Sequence, residues 1–264
     1  MNIFARASAS FRARVLQPEM QKHYEKTIYG KTIAAYKDKY AGKRCFLIGN
    51  GPSLRAEDLD VLAANGEVCF AFNRIYNIFD QTKWRPDFYI SQDEKMLQGC
   101  ADVVDRTSLG VKFIPINLKW YYDIQIRDAT WFMMRSPAEN AGKPLDFSDD
   151  AARVLYQAST GMYTAAQLAA YMGFKEIYLI GVDHHFHISQ NNAGEIIVDD
   201  SVKDYFSEKY NTDKENLYIP NTEKSTLTYV AMKEQCERRG IRVFNATRGG
   251  KLEVFKRVDF GSLF

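Results

Sequence analysis

Residues 45–54 read CFLIGNGPSL. An apolar run ends at Gly49, a polar loop follows, and the segment after the loop carries apolar residues at helical spacing. This order predicts a buried strand, a tight loop and a helix. Glycine lets a backbone approach a ligand closely, and a helix N-terminus attracts anions. The loop therefore has two interpretations: an ordinary turn, or a site for a nucleotide or sugar phosphate made of Gly49, Asn50, Gly51, Pro52 and Ser53.

Further apolar runs extend this pattern along the chain. They predict strands at 68–72, 86–91, 111–116, 130–134, 176–182 and 241–244, and helices at 17–40, 56–65, 94–106, 162–174 and 222–239. The polar stretch 188–222 has few aliphatic residues and predicts a partly ordered lid. The alternation of strands and helices predicts an α/β fold with a mainly parallel sheet flanked by helices.

The composition restricts the classes of function. The chain has 264 residues, of which 46% are hydrophobic, and this suffices for one large α/β domain with a sizeable core. A net charge of +2 gives no argument for a nucleic-acid partner. No apolar run reaches the length of a membrane span, and the N-terminus lacks the apolar core of a signal peptide. These features predict a cytoplasmic protein.

Two smaller features bear on metal binding and on location. The four cysteines have no metal-ligand spacing, which predicts reduced, buried thiols and no metal site. Residues 1–15 carry three arginines and no acid beside two phenylalanines. That pattern is typical of a frayed tail, and it also fits peripheral contact with the anionic inner face of a membrane.

Three further strands are followed by residues able to bind a ligand. Asn73 follows the second strand, Asp93 the third, and Asn245 the last. In a parallel sheet the carboxyl ends of the strands share one edge, and open α/β sheets bind ligands there. We therefore expect these three side chains to approach the loop that follows the first strand.

A second turn precedes the apolar helix predicted at 162–174. Its residues Ser159, Thr160 and Gly161 either cap the helix or form a second anion site at its N-terminus. The strand at 176–182 then delivers Asp183, His184, His185 and His187. This cluster is open to three interpretations: metal ligands, groups for acid–base or phosphate chemistry, or solvated loop residues.

Three stretches in combination, residues 48–54, 159–163 and 173–183, resemble the bacterial sialyltransferases that decorate lipooligosaccharide (glycosyltransferase family 42). The same motifs occur in a wider family, which includes motility-associated-factor glycosyltransferases of flagellin and an archaeal 6-hydroxymethylpterin diphosphokinase. Residues 245–255 look like the tail of polysaccharide-locus members of that family. The similarity spans residues 43–260.

The resemblance implies one Rossmann-like domain over residues 43–264, with a lid at about 184–222 and a helical extension over residues 1–42 before it. It also implies metal-independent, inverting transfer of sialic acid from CMP, with no cofactor required. By the same resemblance, Asn50 and Asn73 contact the donor, residues 159–161 line the donor site, and Asp183 matches the aspartate that ends the central strand. Homo-oligomers are a further expectation from the resemblance alone.

Two departures from the sialyltransferase pattern bear on the chemistry. His184 and His185 stand where those enzymes have an aromatic pair whose tyrosine contacts the donor phosphate. Asn221 stands where they have the histidine that acts as general base, and an asparagine cannot take up a proton at neutral pH. A base would therefore have to come from the histidines at 184, 185 or 187.

The leading hypothesis is a glycosyltransferase that uses a nucleotide-activated sugar, a CMP-linked sialic-acid type, and a glycan or glycolipid acceptor in the synthesis of bacterial surface glycans such as lipopolysaccharide or capsule. Its candidate catalytic residues are Asp183 and the three histidines. The alternatives are a diphosphokinase in which Mg²⁺ bridges ATP phosphates near Asp93 or Asp183, and a non-catalytic protein that binds nucleotides or glycans.

Overall fold

Eight parallel strands form the central sheet of the computed structural model, which describes residues 22–137, 145–207, 210 and 218–264. The strand order across this sheet is β12-β11-β8-β1-β2-β3-β4-β5, and every neighbouring pair is parallel. The strands are β1 (Arg44–Ile48), β2 (Val68–Phe72), β3 (Phe88–Ile90), β4 (Val111–Pro115), β5 (Ala129–Phe132), β8 (Glu176–Ile180), β11 (Arg242–Asn245) and β12 (Lys256–Arg257).

Two small sheets, six α-helices and three short 3-10 helices are the other named elements of the described residues. Strands β6 (Met134–Arg135) and β7 (Leu155–Tyr156) pair in parallel, and β9 (Ile188–Gln190) and β10 (Ile196–Val198) form an antiparallel hairpin. The helices are α1 (Ile28–Ala34), α2 (Ala56–Ala64), α3 (Glu94–Arg106), α4 (Ile116–Tyr122), α5 (Gly161–Tyr171) and α6 (Thr222–Arg238). The α/β, Rossmann-like prediction with a mainly parallel sheet is therefore confirmed.

The path of the chain through the sheet reverses next to β1. From β1 the chain moves outward through β2, β3, β4 and β5, and it then returns to β8 on the other side of β1. The carboxyl ends of β1 and β8 therefore border the topological switch point, where open parallel sheets bind ligands. Strand β1 pairs with β8 over its whole length and with β2 from Cys45 to Ile48, and these four residues are buried, so this point of the sheet is well supported.

Three local predictions differ from the observed structure. The helix predicted over 17–40 is, in its described part, a 3-10 turn at Tyr24–Lys26 followed by the short α1. Thr27 separates them because its hydroxyl caps α1. Helix α4 was not predicted; it begins directly after Pro115, which ends β4 and is the extended N-cap residue of the helix. The lid predicted over 188–222 contains the hairpin β9–β10 and the start of α6.

The described chain before β1 packs against β5 at one edge of the sheet. Tyr24 and Ile33 are fully buried, and the Tyr24 hydroxyl donates a hydrogen bond to the carbonyl oxygen of Trp131 in β5. The basic N-terminal residues on which the membrane hypothesis rests lie outside the described residues. Across the described ranges, none of the helices combines the length and the apolar character that crossing a bilayer requires.

Candidate functional site

A cleft of about 830 Å³ opens at the carboxyl ends of the central strands. Eleven of the predicted site residues line it: Gly49, Asn50, Gly51, Asn73, Asp93, Ser159, Thr160, Gly161, Asp183, His184 and His185. The fold thus brings together residues from five separate stretches of sequence. Four predicted residues are not on its wall, namely Pro52, Ser53, His187 and Asn245; their contact with a ligand stays a prediction.

The loop after β1 is held against the end of β8 by its backbone. The Gly49 N–H donates to the carbonyl oxygen of Ile180 at 2.8 Å, and the Gly51 N–H donates to that of Gly181 at 2.8 Å. A Cβ at Gly49 would lie 2.3 Å from the Gly181 oxygen, and one at Gly51 would lie 2.0 Å from Asp183 Oδ2. Only glycine fits at either position, so the two loops form one rigid floor for the cleft.

Asp183 is hydrogen-bonded to the loop that follows β1. Its Oδ2 accepts a hydrogen bond from Ser53 Oγ at 2.7 Å and another from the Ser53 N–H at 3.3 Å. Burial raises the pKa of the Asp183 carboxyl, and the hydrogen bonds from Ser53 act in the opposite direction. Ser53 does not line the cleft, and both of its hydrogen-bond donors are directed to the carboxylate of Asp183. Its contacts therefore hold Asp183 in place.

Two asparagines join the floor to β2. Asn50 Nδ2 donates to the carbonyl oxygen of Phe72 at 3.0 Å, and its Oδ1 is buried with no hydrogen-bond partner. Asn73 has a left-handed backbone (φ 52°), a conformation that asparagine tolerates better than most residues. Its Oδ1 accepts from Ser91 Oγ at 3.2 Å. Both side chains thus line the cleft, and each is also hydrogen-bonded to a residue at the end of a neighbouring strand, Asn50 to Phe72 and Asn73 to Ser91.

Helix α5 points its N-terminus into the cleft. The Thr160 side chain caps the helix by accepting from the Met162 N–H, as the capping interpretation predicted, and it also lies 3.4 Å from the Tyr229 hydroxyl. Ser159 is exposed on the wall beside it. Gly161 leaves room for Phe72, whose ring would lie 3.3 Å from a Cβ there. This N-terminus offers partial positive charge to a ligand in the cleft.

His185 forms a carboxylate–imidazole pair with Asp199. The distance from His185 Nε2 to Asp199 Oδ2 is 2.8 Å. Hydrogen bonds from Ser201, and then the one from His185, lower the pKa of Asp199 to about 2. An ionised carboxylate can only accept, so it holds the proton of His185 on Nε2 and leaves Nδ1 as the basic nitrogen. Of the two residues, His185 lines the cleft, and 26% of its side chain is exposed.

The other two histidines have structural partners. His184 has a left-handed backbone (φ 53°), and its Nε2 lies 2.7 Å from Thr226 Oγ1 of α6. Burial lowers the pKa of His184, so the ring is neutral at neutral pH. His187 Nδ1 lies 3.1 Å from the Asp199 carbonyl oxygen, and the backbone N–H of His187 donates to Asp204 Oδ1 at 2.6 Å. Of the three predicted candidates, His185 has the geometry of a general base.

Asn221 and Asn245 are committed to backbone contacts. Asn221 caps α6 through its Oδ1, which accepts from the Lys224 N–H at 2.8 Å, while its Nδ2 donates to the Asn191 carbonyl oxygen at 2.9 Å. Asn245 is fully buried, donates to the Leu252 carbonyl oxygen and accepts from the Thr247 N–H. Asn245 therefore shapes the loop after β11 instead of facing the cleft.

Residues of the segment after β10 that sequence analysis did not select also form the wall. Tyr205 and Tyr210 stack with ring centroids 3.8 Å apart, and Tyr218 donates a hydrogen bond to Glu94 at the start of α3. The available signal was a run of tyrosines in a segment with few aliphatic residues. Asp199 was also missed, because its position beside His185 depends on the pairing of β9 with β10.

The charges on the wall are mostly negative. Among the described residues, it carries the carboxyl groups of Asp93, Glu94, Asp183 and Asp204 and a single lysine, Lys224. Burial raises the pKa of Asp93, whose Oδ1 caps α3 by accepting from the Met96 N–H at 3.1 Å. No group of three or more His, Cys, Asp or Glu side chains within the described ranges is arranged to hold a metal ion.

Comparison with known proteins gives two findings. The profile of a family described as "6-hydroxymethylpterin diphosphokinase MptE-like" matches residues 20–189. Among solved structures, the chain is similar to a MAf glycosyltransferase from Magnetospirillum magneticum AMB-1, with a TM-score of 0.49 and 18% identity over 89% of this chain. The match covers 38% of that protein's chain. No curated protein sequence matches significantly.

Proposed function

This chain belongs to the MptE-like family, and we propose that it is a glycosyltransferase that uses a nucleotide-activated sugar. The donor we propose is a CMP-linked sugar of the sialic-acid type, and the acceptor is a hydroxyl group of a bacterial surface glycan or glycolipid, such as lipopolysaccharide or capsule. The observation that carries the proposal is the His185–Asp199 pair at the edge of the cleft, beside the topological switch point of the sheet.

The pair supplies the base that such a transfer needs. His185 Nδ1 takes the proton of the acceptor hydroxyl while Nε2–H stays bonded to Asp199. The acceptor oxygen then forms a bond to the anomeric carbon of the donor sugar, and the bond from that carbon to the phosphate oxygen breaks. The electron pair leaves with the phosphate, so the products are the elongated glycan and CMP.

The surroundings of the cleft suit a leaving group of low charge. The N-terminus of α5 and the side chain of Lys224 are positive features of the described wall. A CMP-linked donor carries one phosphate group, whereas ATP carries three. Four carboxyl groups on the same wall disfavour a triphosphate unless a cation accompanies it. The charge distribution therefore supports a monophosphate-linked donor.

A second candidate function is a Mg²⁺-dependent diphosphokinase that acts on a pterin-like alcohol. The family description and the acidic wall favour it. Asp93 and Asp183 would hold the cation together with the phosphates of ATP, since Mg²⁺ often takes one or two carboxylates and completes its shell with phosphates and water. One oxygen of each carboxylate already accepts a hydrogen bond from the protein, so these residues fit the ion only in part.

The location and assembly of the protein are part of the same proposal. A glycosyltransferase that consumes a CMP-linked donor and extends a surface glycan would act in the cytoplasm, at the inner face of the membrane. Peripheral contact through the basic N-terminus and a homo-oligomeric state remain predictions. No cofactor besides the donor is required in this proposal.

The deciding experiment is a thermal-shift panel of the purified protein with CMP, CDP, UDP, GDP and ATP, each with and without Mg²⁺. A ligand at about 100 times its Kd adds about 2.7 kcal/mol, which raises Tm by roughly 5–10 °C in a chain of this size. We expect CMP to stabilise the protein regardless of Mg²⁺. Stabilisation by ATP only with Mg²⁺ would contradict the glycosyltransferase proposal and support the diphosphokinase. Stabilisation by CMP without turnover of any CMP-linked sugar would indicate a non-catalytic binding protein.

A further inference from the structure

Tyr205 and Tyr210 form a stacked pair on the wall of the cleft beside β2. Their ring planes differ by 11°, and their centroids are 3.8 Å apart. Tyr210 is 3% exposed, whereas Tyr205 is only half-buried and lines the cleft. One face of the Tyr205 ring is therefore covered by Tyr210, and Tyr205 itself lines the cavity.

The tyrosine pair is held in place by contacts of Tyr210 with Arg74 and Asn73. Arg74 is 4% exposed, its Nη1 donates to the Tyr210 carbonyl oxygen at 2.5 Å, and its guanidinium lies 5.8 Å from the centre of the Tyr210 ring. Tyr210 also hydrogen-bonds the side chain of Asn73. Because Tyr210 is anchored to residues 73 and 74, which directly follow β2, the ring of Tyr205 is fixed before any ligand arrives.

The tyrosine pair lies at the edge of the sheet where the base of a nucleotide sugar would be expected. Neighbouring strands lie about 4.8 Å apart, so the end of β2 is about 10 Å from the end of β8, and His185 lies in the segment that follows β8. A donor whose anomeric carbon lies near His185 would extend across the floor formed by Gly49 and Gly51. Its base would then lie on the β2 side.

We propose that Tyr205 is the stacking platform for the heteroaromatic base of the nucleotide donor, with Tyr210 and Arg74 as its positioning residues. This inference rests on the proposed function and adds the residue that binds the base. Flat heteroaromatic rings stack on tyrosine, and a ring held rigidly in advance loses little conformational freedom on binding. Burial raises the pKa of Tyr205 to about 12, so the ring stays neutral at neutral pH.

Calorimetric titration with CMP and with ribose 5-phosphate, which lacks the base, tests this role. We expect Tyr205→Ala to raise the Kd of CMP roughly 5- to 150-fold, the range for loss of one base–aromatic stack, and to leave the Kd of ribose 5-phosphate unchanged. Tyr205→Phe keeps the ring and should keep the wild-type Kd. Tyr122→Ala is the matched control, since Tyr122 is 45% exposed and lies outside the cleft lining.

Equal weakening of both ligands by Tyr205→Ala would indicate a general structural role and overturn the inference. An unchanged Kd for CMP in that variant would also overturn it, while the proposed function would survive. A wild-type protein that binds no nucleotide at all would overturn both. If Tyr205→Ala fails to fold, Tyr205→Leu takes its place, because leucine covers Tyr210 but has no aromatic face.

Discussion

The two loops that meet at the switch point are built in different ways. The loop after β1 is shaped by its backbone: glycines fit where no Cβ can, and their N–H groups bond to the end of β8. The segment after β8 is shaped by side chains, because His184, His185 and His187 each bond to a residue from a more distant part of the chain. A substitution should therefore affect stability in the first loop and chemistry in the second.

The two loops therefore contribute two kinds of functional residue, those that shape the cleft and those that supply a reactive group. Gly49 and Gly51 create the floor on which a ligand can lie, but they contribute no reactive group. His185 and Asp199 contribute a base, and partly exposed side chains of this kind support little of the core. Rigid positioning by one loop and reactivity from the other is the arrangement that catalysis by proximity requires.

The largest effect is expected from His185→Ala. Loss of a general base costs about 10²–10⁴-fold in rate, so kcat of glycosyl transfer should fall by that factor while the Kd of CMP and Tm stay the same. Turnover with a CMP-linked sugar and an acceptor glycan, measured by CMP release, gives the rate. His23→Ala is the control, since His23 is exposed and is not among the residues that line the cleft.

Asp199→Asn sharpens the same test. It removes the carboxylate that holds His185 in one tautomer, so a loss toward the lower end of that range, about 10²-fold, is expected. Full activity in both variants would remove the pair from the mechanism. A large fall in Tm in either variant would contradict the view that the second loop carries chemistry rather than stability.

An intermediate effect is expected from Gly49→Ala. Its Cβ would lie 2.3 Å from the Gly181 carbonyl oxygen, and overpacking of this kind costs about 1–3 kcal/mol. In a chain of this size Tm should fall by roughly 2–12 °C, measured by calorimetry or circular dichroism. Gly261→Ala is the matched control, because the nearest atom to its Cβ is a side-chain oxygen 3.2 Å away. Equal Tm values for the two variants would show that the floor is not rigid.

The smallest effect concerns the pH dependence of stability. Burial lowers the pKa of His184 below its ordinary value of 6.5, so the unfolded chain binds the proton more readily. Its contribution to stability is complete above pH 6.5 and is lost as the pH falls from there toward the folded-state pKa. The change in the free energy of unfolding is expected to be small, because the ring is only half-buried and water screens much of its charge.

His184→Asn tests this contribution, since asparagine accepts the left-handed backbone at that position. The difference in Tm between about pH 5 and about pH 7.5 should be smaller in the variant than in the wild type. An identical difference in the two proteins would show that His184 titrates alike in the folded and unfolded chain.

Most of the central strands were predictable from local pattern. Strands β1, β2 and β8 are short apolar runs bounded by turn residues, and such runs are typical of buried parallel strands. Helix α4 was missed because its residues show no clear helical period and its start was assigned to a strand. The strand β10 was missed because all three of its residues are exposed, so no alternation marks it.

The candidate site divides in the same way. Residues that directly follow a strand, such as Asn50, Asn73 and Asp183, were placed correctly at the edge of the sheet because a parallel arrangement brings strand ends together. Asp199 lies 14 residues after His185 in the chain and reaches it only because β9 and β10 pair with Val198 opposite Ile188. No local pattern reports such a pairing.

From the sequence alone, it was possible to determine the fold class, the strand ends that meet at the cleft and the helix cap at Thr160, because periodicity and capping act over a few neighbouring residues. The tertiary structure decided three contacts. Ser53 donates a hydrogen bond to Asp183, His185 pairs with Asp199, and Tyr205 stacks on Tyr210. These contacts depend on how segments distant in sequence pack together, and the same side chains would be compatible with many other partners.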